Sequence, residues 1–230
     1  MRKDFRPRQL PLDLAHGEGF SRDDLVVTPA NERAVALVES WPDWPAPVVV
    51  LAGPADSGKT HLSEIWCDCS GATAIEVRSI GGDALAAAEE APILIDGADA
   101  MPRDETGLFH LINTVRAART NLLMTARSMP TAWGIELPDL FSRLKAATIV
   151  EIEAPDDMLL AGVITKLFAD RQIAIDPHVV RFLIRRIERS LAAARDIVEK
   201  LDRAALERKT RITRALAAEV IGIANEAAFD

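Results

Sequence analysis

Cysteine is scarce in this sequence of 230 residues, which has only Cys67 and Cys69. Two cysteines at that spacing are too close for an ordinary structural disulfide, so we expect reduced thiols in a cytoplasmic protein. The four histidines are scattered singly, and a metal site would need more ligands than the sequence groups together. No apolar run approaches the roughly 18 residues of a membrane span. No apolar core follows the basic N-terminus, which argues against export.

Excess positive charge is also missing, since the formal net charge is −8 at pH 7. Such a chain is a poor candidate for a large nucleic-acid surface, so we expect no direct sequence-specific DNA binding. We expect no membrane contact either. Apolar residues make up 49% and charged residues 27% of the chain, as in a soluble globular protein with a substantial core.

The strongest functional motif in the sequence is a glycine-rich loop. Residues 53–60 read Gly-Pro-Ala-Asp-Ser-Gly-Lys-Thr and follow the apolar run Val48–Ala52. This is the G-x-x-x-x-G-K-[ST] pattern in its required context of strand, loop and helix. Glycines let backbone amides turn inward around phosphate oxygens, a lysine contacts the β- and γ-phosphates, and a threonine hydroxyl reaches Mg²⁺. The predicted nucleotide-binding residues of the loop are Gly53, Ser57, Gly58, Lys59 and Thr60.

Strand-like and helix-like segments alternate after the loop. Short apolar strands are predicted at 74–78, 93–95, 122–125 and 148–152. Helices are predicted between them, at 83–90, 105–119 and 137–146. Near-continuous apolar strands that alternate with helices favour a parallel sheet covered on both faces, and therefore an α/β domain.

From residue 155 onward only helices are predicted. They span residues 156–170, 176–188, 190–208 and 213–227. Each begins at a residue suited to an N-cap, namely Asp156, Asp176, Ser190 and Thr213. We therefore predict three parts: an arm over residues 1–19, an α/β domain over 20–154 and a small helical domain over 155–230.

Asp96 closes the apolar strand at residues 93–95, where a carboxylate would lie beside Mg²⁺ and its waters. The alternative is that Asp96 is a solvent-exposed aspartate at the end of the strand with no role in binding. Active ATPases of this architecture normally carry a second acid at the next position, and here that position is Gly97. Asp99 follows two residues later. The sequence therefore predicts nucleotide binding, with weak ATP turnover at best.

Four further side chains are candidates for contact with a nucleotide. The hydroxyl of Thr125, at the end of the next strand, would either touch the γ-phosphate or its attacking water, or bond a backbone carbonyl. Arg143 lies on a short helix and could reach a neighbouring subunit's nucleotide, with a surface ion pair as the alternative. Arg189 precedes the third helix of the second part, and Arg185 is predicted to share its helical face at i−4. Either could bridge that part to the phosphates, whereas a face of solvated arginines is the alternative.

The segment Gln9–Leu14 reads Gln-Leu-Pro-Leu-Asp-Leu. Its leucines at every second position put three apolar side chains on one side of an extended chain. Pro11 prevents continuation as a helix. The sequence therefore predicts either a docking segment or an edge strand folded onto its own domain.

Together these features resemble the AAA+ module of the bacterial DnaA family over roughly residues 20–228. The resemblance is carried by the phosphate loop with His61 and Leu62 behind it, Asn31 in the preceding helix, Asp96, residues 122–125, residues 142–144 and a helical lid. A DnaA protein would continue into a helix-turn-helix domain, whereas this sequence stops at Asp230. In that respect, and in its segment Gln9–Leu14, it looks like the Hda-type family of DnaA-homologous regulators.

The resemblance implies an AAA+ domain with a three-layer parallel sheet, followed by an all-α lid, that binds ADP or ATP with Mg²⁺. It also implies that the protein docks on the sliding clamp of DNA polymerase III and promotes hydrolysis of DnaA-bound ATP. The residues that would dock on the clamp are Gln9, Leu10, Leu12 and Leu14. Because a clamp ring presents more than one identical pocket, a homodimer would gain affinity by effective concentration.

The same resemblance implies roles for two arginines. Arg143 becomes an arginine finger offered in trans to DnaA. Arg189 becomes the second nucleotide sensor, although the family often has an acid where Ser190 stands.

Three other functions remain compatible with parts of the sequence. One is a self-sufficient AAA+ ATPase that loads a helicase or remodels DNA, which substantial ATP turnover by the isolated protein would favour. Another is a small-molecule phosphotransferase, in which the segment Gln9–Leu14 would have no role. A DNA-binding initiator fits least, given the negative charge.

Overall fold

The computed structural model describes residue 22 and residues 25–222. The predicted clamp-binding segment Gln9–Leu14 lies outside these residues, as does the end of the last predicted helix. Five parallel strands form one sheet in the order β2-β3-β4-β1-β5. The strands are β1 (Val48–Ala52), β2 (Thr73–Ala74), β3 (Ile93–Ile95), β4 (Leu122–Ala126) and β5 (Thr148–Glu151).

Helices cover both faces of this sheet. The first five are α1 (Glu32–Glu39), α2 (Lys59–Ser70), α3 (Gly82–Glu90), α4 (Glu105–Ala118) and α5 (Pro138–Lys145). Alternate residues of β1 point to opposite faces, so Val48 and Val50 pack with α3, α4 and α5, while Val49 and Leu51 pack with α1 and α2. The predicted three-layer α/β fold is confirmed.

Four helices follow the sheet and enclose an apolar core of their own. They are α6 (Asp157–Asp170), α7 (Pro177–Ile184), α8 (Leu191–Arg208) and α9 (Arg214–Ile221). All four predicted N-caps are confirmed, because the side chains of Asp156, Asp176, Ser190 and Thr213 each accept a hydrogen bond from a backbone amide in the first turn.

Two predicted elements are shorter in the structure. The strand predicted at 74–78 ends at Ala74, because the chain leaves the sheet and the carbonyl of Val77 accepts from the amide of Asp104 (3.0 Å). The helix predicted to reach residue 188 ends at Ile184. The prediction that Arg185 and Arg189 share a helical face is therefore wrong, since Arg185 caps α7 and the intervening residues form a turn.

Candidate nucleotide site

The glycine-rich loop lies at the carboxyl end of β1, between the ends of β4 and β5. Gly53 donates its amide to the carbonyl of Ala126 (3.1 Å), which fixes the loop's first residue to β4. A Cβ atom at Gly53 would stand 2.3 Å from the carbonyl oxygen of Ile152. No larger residue fits there without moving the backbone, so the glycine is a steric requirement of this edge of the sheet.

The second glycine of the loop joins it to the helix. Gly58 has φ = 97°, in the left-handed region that favours glycine, and stands at the N-cap of α2. From there α2 directs the positive end of its dipole back toward the loop. This is the strand–loop–helix geometry that receives phosphate groups in other proteins.

Lys59 is the central charge of the loop and is only 8% exposed. Its Nζ donates to the carbonyls of Gly53 (2.9 Å) and Pro54 and to the hydroxyl of Ser57 (3.3 Å). Burial lowers the pKa of Lys59, and the nearby carboxylate of Asp96 opposes that shift. The site thus holds a partly desolvated ammonium group that a phosphate would stabilise.

Asp96 lies directly beyond β3 with its carboxylate exposed. The hydroxyl of Thr125, which is 1% exposed, donates to Oδ1 of Asp96 and accepts from the amide of Gly97 (2.9 Å). Of the alternatives predicted for Thr125, the bond to a backbone carbonyl is therefore not the one the structure shows. Thr125 fixes the orientation of the Asp96 carboxylate.

Asp99 is bound to the loop that follows β4. Its Oδ2 accepts from the amides of Arg127 (2.9 Å) and Ser128 (3.2 Å) and from the Ser128 hydroxyl (3.3 Å). The Asp99 carboxylate therefore holds that loop through three hydrogen bonds. It is poorly placed to replace the acid that is missing at Gly97.

Arg127 is a cation of this site that the sequence reasoning missed. It directly follows Ala126, the residue to which Gly53 is bonded, and it is exposed. Its charge helps to lower the pKa of Lys59, after burial of that side chain as the main cause, so the two cations are close enough to interact. The sequence could have indicated Arg127, because it is a basic residue directly after a buried strand. Ligands of parallel sheets bind at the carboxyl ends of the strands.

Arg143 lies in the last turn of α5 and is half-buried. Leu140 and Leu144 on the same helix are fully buried and fasten α5 to the core. Among the described residues, the guanidinium of Arg143 has no ion pair or hydrogen bond, unlike that of Arg189. The ion pair weighed for Arg143 is thus not seen in the described part of the chain, and the guanidinium is available to an external group.

Arg189 forms an ion pair with Asp157 on α6 (2.8 Å), and both side chains are more than half exposed. Such pairs contribute little free energy, so a phosphate could replace the carboxylate at small cost. Two residues further on, the amide of Leu191 donates to the carbonyl of Asp56 in the phosphate loop (3.0 Å). The start of α8 therefore contacts the loop directly and holds Arg189 near it.

Both cysteines lie on α2 as free thiols. Residues two apart on a helix do not face each other, so these thiols cannot pair. Cys69 is exposed, whereas Cys67 is partly buried. Burial, with the charges of Glu64 and Asp68, raises the pKa of the Cys67 thiol to about 11.

We expect iodoacetamide to modify Cys69 at least ten times faster than Cys67 at about pH 8. With a pKa of about 11, Cys67 is a thiolate in only about one molecule in a thousand at that pH, and the thiolate is the nucleophile. Peptide mass spectrometry over a time course measures both rates. Cys69→Ser should remove the fast phase and leave the slow one. Equal rates in the wild-type chain would contradict the environment described for Cys67.

Within residues 25–222, no helix is both long and apolar enough to cross a membrane. Over the same residues, no group of three or more histidine, cysteine or acidic side chains is arranged to hold a metal ion on its own.

Comparison with known proteins relates part of the chain to one family model. Residues 163–221 match the family model described as the lid domain of Hda. An uncharacterized protein of Haemophilus influenzae is 27% identical over 224 residues, covering 90% of this chain and 95% of that protein.

Solved structures agree on the fold. Domain III of the Thermotoga maritima replication initiation protein DnaA is 15% identical, with a TM-score of 0.75 over 88% of this chain and 95% of that one. AMPPCP-bound DnaA from Aquifex aeolicus is 17% identical, with a TM-score of 0.69 over 83% of this chain and 68% of that one. The Thermotoga maritima RuvB branch migration motor is 15% identical, with a TM-score of 0.70 over 88% and 71% of the two chains. Residues 163–221 therefore match the lid domain of Hda, and the chain has the fold of DnaA domain III.

Proposed function

We propose that this protein is a nucleotide-binding regulator of chromosomal replication initiation, which binds the sliding clamp and promotes hydrolysis of DnaA-bound ATP. The observation that carries the proposal is the guanidinium of Arg143. It lies on a helix anchored in the core of an Hda-like AAA+ fold, and it has no partner among the described residues. A fixed but unengaged arginine is suited to act on the nucleotide of another subunit.

The residues of the loop fit ADP or ATP with Mg²⁺. Gly53 lets the loop begin against the Ile152 carbonyl at the sheet edge, and Lys59 is a partly desolvated cation that a phosphate would stabilise. In the bound state Lys59 would contact the outer phosphates. The Thr60 hydroxyl and the Asp96 carboxylate would hold Mg²⁺, which neutralises phosphate charge. That a similarly folded DnaA is described as AMPPCP-bound supports this assignment.

The lid would complete the nucleotide site. The amide of Leu191 is bonded to the phosphate loop, so a phosphate that rearranges the loop also moves the start of α8. Arg189 could then exchange Asp157 for a phosphate oxygen. We assign Arg189, rather than Arg185, as the lid sensor because Arg189 is next to this contact.

The chain's own turnover should be low. Gly97 provides no carboxylate, and Asp99 is bound to the loop after β4. These two features favour a protein that keeps one nucleotide bound over a self-sufficient ATPase. They support a regulatory role for the nucleotide site.

The clamp contact is proposed for Gln9, Leu10, Leu12 and Leu14. Three buried leucines would offer about 1.5–3 kcal/mol each, and ordering the segment would cost roughly 2–5 kcal/mol. We therefore expect modest affinity for a single segment, with a gain for a homodimer that engages two pockets of the ring.

Replacing Gln9 and Leu12 together by alanine should weaken clamp binding at least tenfold. The change removes one apolar anchor and one polar contact, while the nucleotide site is untouched. Surface plasmon resonance on immobilised clamp measures the affinity. Asp13→Ala, in the same segment but outside the proposed contact set, serves as the matched control. Unchanged binding by the double variant would contradict the clamp assignment.

The proposed function is tested by mixing this protein, DNA-loaded clamp and ATP-bound DnaA, and following ATP hydrolysis. We expect fast hydrolysis only when all three components are present, and much slower hydrolysis when this protein is left out. Hydrolysis that proceeds without DnaA would instead favour a self-sufficient ATPase. No stimulation in the complete mixture would contradict the proposal.

A further inference from the structure

The helix that carries Arg143 lacks an N-cap of its own. Leu137 stands at the N-cap position of α5 and its side chain accepts no hydrogen bond. The carboxylate of Glu105, the first residue of α4, lies there instead. It accepts from the amide of Leu137 (2.9 Å) and from that of Glu136 (3.0 Å). Its negative charge also complements the positive end of the α5 dipole.

Glu105 is in turn paired with a buried arginine. The side chain of Arg103 is 1% exposed, and its Nη2 lies 3.5 Å from Oε1 of Glu105. The same nitrogen donates to the carbonyl of Trp133 (2.8 Å), and the guanidinium lies over the Trp133 ring. Nε and Nη1 of Arg103 are buried and have no hydrogen-bond partner among the described residues. This guanidinium therefore depends on Glu105 for charge compensation.

Two kinds of contact thus determine where α5 lies. Leu140 and Leu144 are fully buried and hold one face of the helix against the core. Apolar packing of this kind is non-directional, so it permits small shifts along the helix axis. The hydrogen bonds from Glu136 and Leu137 to Glu105 are directional and fix that axial position. Arg143 lies six residues beyond Leu137, or about 9 Å along the helix.

We propose that Glu105, supported by Arg103, is a positioning residue for Arg143: its carboxylate caps α5 from α4 and sets where the guanidinium meets a partner's nucleotide. This inference rests on the proposed function, in which Arg143 acts in trans. Displacement of a catalytic group by about 1 Å can cost a hundredfold in rate. The structure therefore predicts that a residue with no access to the partner's nucleotide controls the rate of its hydrolysis.

Glu105→Ala should reduce stimulated hydrolysis of DnaA-bound ATP about tenfold at saturating concentration. Glu105→Gln should lose less, because both amides donate to Oε2 and an amide oxygen at that position still accepts from them, although the negative charge is lost. Binding of nucleotide and of clamp should stay unchanged for both. Glu199→Ala removes an exposed glutamate paired with Arg203 on α8, so it is the matched control and should keep the wild-type rate.

Combining Glu105→Ala with Arg143→Ala distinguishes an effect on the position of Arg143 from a general loss of structure. If Glu105 acts through Arg143, Glu105→Ala should cause no further loss of rate in the Arg143→Ala background. Hydrogen exchange at the amides of Glu136 and Leu137 should accelerate in Glu105→Ala, whether or not DnaA is present. An additive loss in the double variant, or unchanged exchange at both amides, would overturn the inference.

The uncompensated charge of Arg103 could unfold Glu105→Ala, so a second variant removes both charges. Arg103→Met with Glu105→Met should fold and melt close to the wild-type temperature, yet remain slow in stimulated hydrolysis. A wild-type rate in this variant would overturn the positioning role while leaving the proposed function intact. If the wild-type chain itself fails to stimulate DnaA, the proposed function fails first and the positioning role with it.

Discussion

Arg143→Ala should abolish stimulation of ATP hydrolysis on DnaA, with a loss of about a thousandfold or more. The guanidinium is the group proposed to stabilise charge on the transferring phosphate, and no other described residue of α5 offers one. The backbone of α5 should be unaffected, because Leu140 and Leu144 provide its packing and Glu105 its N-terminal contact. Hydrolysis of radiolabelled ATP bound to DnaA, in the presence of DNA-loaded clamp, measures the effect.

The chemistry of the side chain can be tested separately from its charge. Arg143→Lys keeps the charge but loses the planar set of donors that binds phosphate through two nitrogens, so we expect it to recover little of the rate. Arg116→Ala changes an exposed arginine on the neighbouring helix α4 and should leave stimulation intact. Both arginine variants at position 143 should bind nucleotide and clamp as the wild type does. Normal stimulation by Arg143→Ala would remove the observation on which the proposed function depends.

The features that the sequence predicted correctly are those set by neighbours along the chain. Ser190 was recognised as an N-cap because a serine hydroxyl bonds an amide three residues away. The strand–loop–helix geometry around residues 53–60 was predictable because the motif places glycines at fixed spacing between an apolar strand and a helix. The apolar strands were predictable because strands buried on both faces are apolar at nearly every position.

What could not be predicted depends on residues far apart in the chain. Asp99 follows Gly97 by only two residues in the sequence, yet its carboxylate is bound to amides 28 and 29 residues away. Glu105 caps a helix whose N-cap residue is 32 positions further on. Similarly, α7 ends early because Ser190 must cap α8 and Leu191 must meet the phosphate loop. Residues 185–188 contain nothing that forbids a helix, so only the tertiary contact explains its end.

Replacing Lys59 by methionine should weaken adenine-nucleotide binding about a hundredfold, equal to roughly 2.8 kcal/mol. Methionine is unbranched and of similar length, so the change removes the charge while keeping most of the apolar contacts of the stem. The ammonium group lies within the loop, bonded to the Gly53 carbonyl and near the Asp96 charge, where a phosphate would become its partner. Charge-assisted hydrogen bonds to phosphate account for a loss of this size. Isothermal titration with ADP and Mg²⁺ measures it.

The stability of the variant distinguishes a lost ligand contact from a damaged fold. Burial lowers the pKa of Lys59, which means that the folded chain disfavours the charged form of this side chain. Lys59→Met removes this disfavoured charge but also the hydrogen bonds of Nζ to the carbonyls of Gly53 and Pro54, so the melting temperature without nucleotide should stay close to that of the wild type. The rise in melting temperature that ADP causes in the wild-type chain should disappear, since only binding to the folded state produces it. Lys200→Met, which changes an exposed lysine on α8, should retain both affinity and the thermal shift. If Lys59→Met binds ADP within threefold of the wild type, the loop is not the nucleotide site, and a regulator that depends on a bound nucleotide is excluded with it.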